Sequence, residues 1–224
     1  MKKKILVLAP HADDEILGCG GSIAKFSRLG YEVFVLILTN GNEGAPELFS
    51  KKEIEIIRNE SKIANKIIGT KKLIFENLPA LILNNYPIYK IANLIKKHID
   101  QINPNIIFIP SNIDIHLDHK IIFNASKIAL RPHKKTNIEK IFSYEVLSET
   151  EWNEDNKSFN PNYFVKLKKS MIDLKIRSFL KYKSQVKKFP HPRSAEGILH
   201  LSRIRGSHIN EEYSEAFKVE RLID

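Results

Sequence analysis

At 224 residues, with 42% hydrophobic and 28% charged residues, the chain has the length and composition of one soluble α/β domain covering 1–224. No run reaches the roughly 18–20 apolar residues that span a bilayer, and Asp13 and Asp14 interrupt the opening run where a secretory signal would continue, so a cytoplasmic location is expected. The formal charge of +10 is scattered over positions such as Lys51, Lys52 and Lys166–Lys169 with no aromatic-interleaved stripe, which gives no reason to expect a nucleic-acid partner.

The run from Lys3 to Leu8 carries Ile5, Val7 and Leu8 and reads as a buried strand. Ala-Pro-His-Ala-Asp-Asp-Glu follows it and places His11, Asp13 and Asp14 just past the strand's carboxyl end, where open α/β sheets put their chemistry. Ile16, Leu17, Ile23, Ala24 and Phe26 then recur at helical spacing. Gly18, Gly20 and Gly21 permit a close approach to a ligand or to the next layer. Cys19 among them excludes an intramolecular disulfide and reads as a small packed residue.

A second strand is expected over Tyr31–Leu38 and a helix over Glu53–Ile68, stopped by Gly69. Lys71–Phe75 reads as a short strand, Glu76–Pro79 as a turn, and Ile88–Ile99 as a crossover helix. Asn105–Pro110 is a further internal strand, followed by a second cluster with His116, Asp118 and His119 and by a helix over Ile121–Leu130. Ile138–Val146 reads as a strand, Thr150–Pro161 as a polar loop, Tyr163–Leu167 as an edge strand and Ser170–Tyr182 as a helix. Pro190–Pro192 makes a basic turn. Ala195–Arg205 is helical until Gly206 interrupts it, and Tyr213–Leu222 closes the chain as a strand. The alternation predicts a Rossmann-like α/β fold, a mainly parallel sheet flanked by helices.

In a parallel sheet both clusters face one edge. His11, Asp14 and His119 supply the mixed nitrogen and oxygen donors of a mononuclear Zn2+ site with an open position for water. Asp13, beside them, suits a proton acceptor, and His116 suits stabilisation of developing negative charge or protonation of a leaving nitrogen. Asp118 holds a ring nitrogen of His116, orients a ligating histidine, or serves only an ion pair.

The run Pro10-His11-Ala12-Asp13-Asp14-Glu15 with Gly18-Cys19-Gly20-Gly21 resembles the opening motif of the LmbE-like, or PIG-L, N-acetylglucosaminyl deacetylases, with alanine at 12 in place of the usual proline. His116-Leu117-Asp118-His119 resembles the later H-x-D-H element of that family. Arg58-Asn59-Glu60, Ser184-Gln185 and Tyr213-Ser214-Glu215-Ala216-Phe217 are similar to three further family segments. The resemblance implies zinc on His11, Asp14 and His119, Asp13 as general base and His116 assisting the oxyanion or leaving group. Arg58 then binds sugar hydroxyls, orders the pocket or forms a structural ion pair.

The implied reaction is hydrolysis of the N-acetyl amide of an amino sugar or its conjugate to acetate and a free amine. A sugar-thiol conjugate amidase and a noncatalytic metal-containing carbohydrate-binding protein are the alternatives. Sugar recognition is expected from residues 40–49, 75–86 and 150–162, with Asn42 and Trp152 as substrate contacts. The family likeness also makes a homo-oligomer plausible.

Overall fold

In the computed structural model, which describes residues 2–132, 136–153 and 158–224, the opening run forms β1 (Lys4–Ala9). After it come α1 (Asp14–Arg28), β2 (Glu32–Asn40), the short α2 (Gly41–Gly44), α3 (Lys51–Ile68) and β3 (Lys72–Pro79). Then follow α4 (Ile88–Ile102), β4 (Ile106–Pro110), α5 (Leu117–Ala129), β5 (Lys140–Tyr144), β6 (Tyr163–Lys166), α6 (Lys169–Phe179), α7 (Ala195–Ser207) and β7 (Ser214–Leu222). The strands form one sheet in the order β3-β2-β1-β4-β5-β7-β6. Strands β1 to β5 pair in parallel, and β7 runs antiparallel between β5 and β6. The expected Rossmann-like α/β architecture is what forms. No helix among the described residues is long and apolar enough to cross a membrane.

The alternation of side chains along a strand explains how one short run feeds two cores. Ile5, Val7 and Ala9 pack with residues of α1, α3, α6 and α7. Leu6 and Leu8 face the other way, toward α4 and α5. Because β1 lies between β2 and β4, the chain leaves it on one side and returns on the other. That reversal opens a crevice at the carboxyl ends of β1 and β4.

Helix α1 is buried from Asp14 through Ala24, polar residues included, and its glycines serve the neighbouring layer. A Cβ on Gly18 would lie 2.2 Å from Cδ2 of Tyr144, whose hydroxyl donates to the Leu8 carbonyl at 2.8 Å. Helix α3 opens with a capping box between Ser50 and Glu53 and ends on Gly69 at φ 82°, the left-handed stop its sequence predicts.

Several boundaries depart from expectation, three of them for a reason visible in the contacts. Glu76–Pro79 is strand and no turn: the register slips between Ile37 and Thr39, so Thr39 pairs with Leu78 and Asn40 with Pro79. A bulged edge strand tolerates the polar and proline residues that read as a turn. Gly206 lies inside α7, where a Cβ would come within 2.5 Å of the Glu211 carbonyl; glycine lets the chain fold back over the helix. Helix α5 begins four residues early because the His116 Nδ1 accepts the Asp118 N–H and caps it.

The carboxyl-terminal strand grips α1 through one carboxylate. Glu215 accepts the N–H groups of Gly21 and Ser22 at 2.9 and 2.7 Å and pairs with the Lys175 ammonium at 2.6 Å. Lys175 also donates to the Leu17 carbonyl at 2.7 Å, and both partners are buried. Removing one charge from such a pair costs about 3–5 kcal/mol. Glu215→Ala is therefore expected to lower Tm by roughly 10 °C. A loss under about 1 kcal/mol in denaturant unfolding would mean that water reaches the pair and screens it.

Candidate metal centre

The crevice between β1 and β4 gathers the two sequence clusters. From the β1 side come His11, Asp13 and Asp14; from the β4 side come Asp114, His116, Asp118 and His119. His11 Nδ1 lies 3.2 Å from His119 Nε2. Asp14 Oδ2 lies 3.3 Å from the first nitrogen and 3.2 Å from the second. A tetrahedral ion bound at 2.0–2.1 Å sets its ligand atoms about 3.3 Å apart, so the three atoms already hold one face of such a tetrahedron.

The groups behind the histidines settle which nitrogens face that point. Asp118 Oδ2 sits 3.1 Å from His11 Nε2, and Asp114 Oδ2 sits 2.7 Å from His119 Nδ1. Each carboxylate takes the N–H on the far side of its ring, leaving the Nδ1 lone pair of His11 and the Nε2 lone pair of His119 for an ion. The supports are themselves held. Asp114 accepts from Thr150 Oγ1 at 2.5 Å, and Asp118 accepts the Leu81 N–H at 2.7 Å.

Asp14 Oδ2 also accepts the His11 N–H at 2.8 Å, while the buried Asp14 Oδ1 has no hydrogen-bond partner. A buried carboxylate oxygen left without a donor fits a cation. His116 also falls near His11 and His119, the three offering nitrogens within 4.8 Å of one another. Its Nδ1 is occupied by the Asp118 N–H at 3.1 Å, and Asp14 closes the tighter triangle. The donor set of two imidazoles and a carboxylate thus fits a divalent ion at His11, Asp14 and His119.

Without an ion, protons fill the same role. Burial opposes charge on His11, yet hydrogen bonds to Asp118 and Asp14 lift it to about 9. Burial likewise opposes charge on His119, and the Asp14 charge with the Asp114 hydrogen bond lifts it to about 10. His116 goes the other way, down to about 4, through burial and the neighbouring charges of His11 and His119. It is a neutral imidazole whose Nδ1 accepts, so its proton resides on Nε2.

Asp13 sits at the N-cap of α1 with φ 117° and makes no capping hydrogen bond. That backbone turn is costly for a residue with a Cβ, and Glu15 stabilises it by accepting the Asp13 N–H at 3.0 Å. Asp13 Oδ2 is buried without a hydrogen-bond partner, 3.3 Å from Arg193 Nη1. Burial pushes the Asp13 carboxyl up to about 7 against the pull of Arg193.

A cavity of about 290 Å³ opens onto this cluster, lined by His11, Asp13, His116, Arg58, Glu149 and Arg193 among others. Arg58 lines the cavity, and its Nη2 donates to the Glu76 carbonyl and to Asn77 Oδ1. Asn42 and Trp152 do not line the cavity. Asn42 Nδ2 donates to the Phe49 carbonyl at 2.7 Å, and Trp152 stands edge-on to His191. The segment 154–157 of the loop expected to touch substrate lies outside the described residues.

Sequence reading gave no role to Asp114, Glu149 or Arg193. Asp114 stands inside the second cluster and five residues before His119, a spacing that marks it only once its loop is folded. Arg193 belongs to a stretch that reads as a basic turn, and Gln185, which accepts from Arg193 Nη1 at 3.0 Å, was marked only by family likeness.

The family model described as PIG-L, GlcNAc-PI de-N-acetylase, matches residues 6–130. Over 187 residues the chain is 29% identical to the uncharacterized deacetylase YaiS of Escherichia coli (strain K12), covering 82% of this chain and 92% of that protein. Its fold is similar to that of a conserved protein from Thermus thermophilus, with a TM-score of 0.79 and 26% identity over 98% of this chain and 96% of that one. It is also similar in fold to an N,N'-diacetylchitobiose deacetylase from Pyrococcus horikoshii, with a TM-score of 0.73 and 23% identity over 97% of this chain and 83% of that one. The matched residues run from β1 through α5 and carry His11, Asp14 and His119, and the chain belongs to the PIG-L family.

Proposed function

We propose that the chain is a zinc-dependent hydrolase that removes the acetyl group from the amide nitrogen of an amino sugar or its conjugate. The observation that carries this reading is the triangle of His11 Nδ1, His119 Nε2 and Asp14 Oδ2, with the Asp13 carboxylate, whose Oδ2 has no hydrogen-bond partner, at the same cavity. Two imidazoles and one carboxylate suit zinc and leave a position open. When bound there, the ion supplies Lewis acidity for water activation and carbonyl polarisation.

The chain's own groups divide the rest of the work. Asp13 accepts a proton from the attacking water as its oxygen bonds to the amide carbonyl carbon. The His116 Nε2–H donates to the carbonyl oxygen as it gains negative charge. When the carbon–nitrogen bond breaks, the proton held by Asp13 passes to the departing nitrogen, giving acetate and the amine. Arg193 keeps the Asp13 carboxylate aimed into the cavity, and its partners Gln185 and Glu149 hold the guanidinium in turn.

Amine release from a panel of N-acetylated amino sugars, free and conjugated, tests the reading. Asp13→Asn in zinc-loaded protein is expected to lower kcat by about 10²–10⁴-fold with metal content unchanged. Turnover within tenfold of the wild type would remove Asp13 from the proton-transfer role.

Zinc titration by calorimetry tests the centre without turnover. His119→Ala is expected to abolish stoichiometric uptake, and Asp114→Asn to weaken it by about 10–100-fold. Because His11 and His119 hold protons to about 9 and 10 in the metal-free protein, zinc uptake at pH 7 is expected to release protons and to weaken as pH falls. Uptake with no proton release in buffers of different ionisation enthalpy would contradict the protonated resting state.

A further inference from the structure

The cavity has two unlike walls. The first carries the titratable groups around His11 and Asp13. The second is built from the end of β2, the segment between α2 and α3, the first turns of α3 and β3, and it presents Ile37, Phe49, Ile54, Ile57 and Phe75. Four of these, Phe49, Ile54, Ile57 and Phe75, keep part of their surface exposed.

Polar side chains on this second wall are engaged by the fold. Thr39 Oγ1 donates to the Pro10 carbonyl at 2.7 Å. Asn40 accepts the Asn42 N–H through Oδ1 and donates through Nδ2 to Asn77. The Arg58 guanidinium is drawn to β3 and lies 5.0 Å over the Phe75 ring. Beside these groups, the wall turns the carbon of Ile37, Phe49, Ile54, Ile57 and Phe75 toward the cavity. Sugar hydroxyls placed against those five side chains would lose their water without gaining partners.

We infer that this wall is a subsite for a hydrocarbon group carried by the substrate, either an acyl chain longer than acetyl or an alkyl aglycone. The inference rests on the reading of this cavity as an amide-hydrolase site and names its substrate class further. The wall is continuous with the reaction centre: Ala80 and Leu81 line the same cavity, and the Leu81 N–H is held by Asp118, the carboxylate behind His11. A hydrocarbon group extending from the scissile amide therefore meets Phe75, Ile54 and Ile57 without leaving the cavity.

Two series of substrates offered to the zinc-loaded chain separate the sources. One lengthens the acyl group on glucosamine from acetyl through butanoyl to hexanoyl. The other lengthens the glycoside of N-acetylglucosamine from methyl through butyl to hexyl. Each buried methylene adds about fourfold, so kcat/KM is expected to rise by on the order of 10²-fold across the acyl series or 10³-fold across the glycoside series, whichever fills the wall. In Ile54→Asn/Ile57→Asn protein the ratio of the longest to the shortest member is expected to collapse toward one.

Calorimetric binding of compounds that the reaction does not consume supplies the second readout. Hexyl and methyl β-glucoside form one pair, hexanamide and acetamide the other, and one pair is expected to show the same preference for the longer chain. Amine release from short and long substrates alike, with equal affinities within both pairs, overturns the subsite and leaves the hydrolase reading standing. Chain-length-dependent binding with no amine release anywhere supports the subsite and overturns the hydrolase reading.

Discussion

Everything in the crevice depends on two carboxylate–histidine pairs that face each other across the ends of β1 and β4. Asp118 fixes the far nitrogen of His11, Asp114 fixes the far nitrogen of His119, and the near nitrogens stand 3.2 Å apart. The second pair is local, Asp114 and His119 lying five residues apart, and the first is not. His11 follows β1 while Asp118 opens α5, so the ring of one cluster is oriented by the carboxylate of the other. The site exists only where parallel pairing of β1 with β4 brings both strand ends to one edge.

The remainder of the chain supports that edge from behind. Glu15, in the first turn of α1, accepts from the Asp13 N–H, from Asn65 of α3 and from the Tyr182 hydroxyl beyond α6. Burial raises Glu15, and the Tyr182 hydrogen bond draws it back. Farther along α1, Glu215 and Lys175 bind the helix to β7 and α6. The polar residues of α1 are thus buried because three later elements meet them. This explains how a helix beginning Asp-Asp-Glu occupies the interior.

Much of this was legible before the structure. Continuous apolar runs such as KILVLA and the stops at Gly69 mark strands and helix ends by local physics, and five parallel strands place His11, Asp13 and Asp14 with His116 and His119. The triangle itself was accessible because its atoms come from two short motifs at strand ends. Arg193 was not, because its position depends on a fold-back after α6 that no periodicity encodes. Asp118 was ambiguous for a similar reason: its partner, His11, is 107 residues away. The direction of loop side chains was not legible either: Asn42 donates to the Phe49 carbonyl of its own loop. Polar composition identifies a loop without saying which way its side chains turn.

The strained turn at Asp13 connects stability to chemistry. An aspartate at a helix N-cap ordinarily accepts an N–H from the first turn, yet at φ 117° this one makes no cap. Its Oδ2 stays buried without a hydrogen bond, and so does Oδ1 of Asp14, the next residue. Two such buried acceptors disfavour folding, and the fold accommodates them through the Glu15 hydrogen bond, the Arg193 charge and a tightly packed α1. The two carboxylates that the protein leaves incompletely bonded are the ones free to hold an ion and a proton. The conformation that is poorest for the helix is the one that keeps Asp13 available to the cavity.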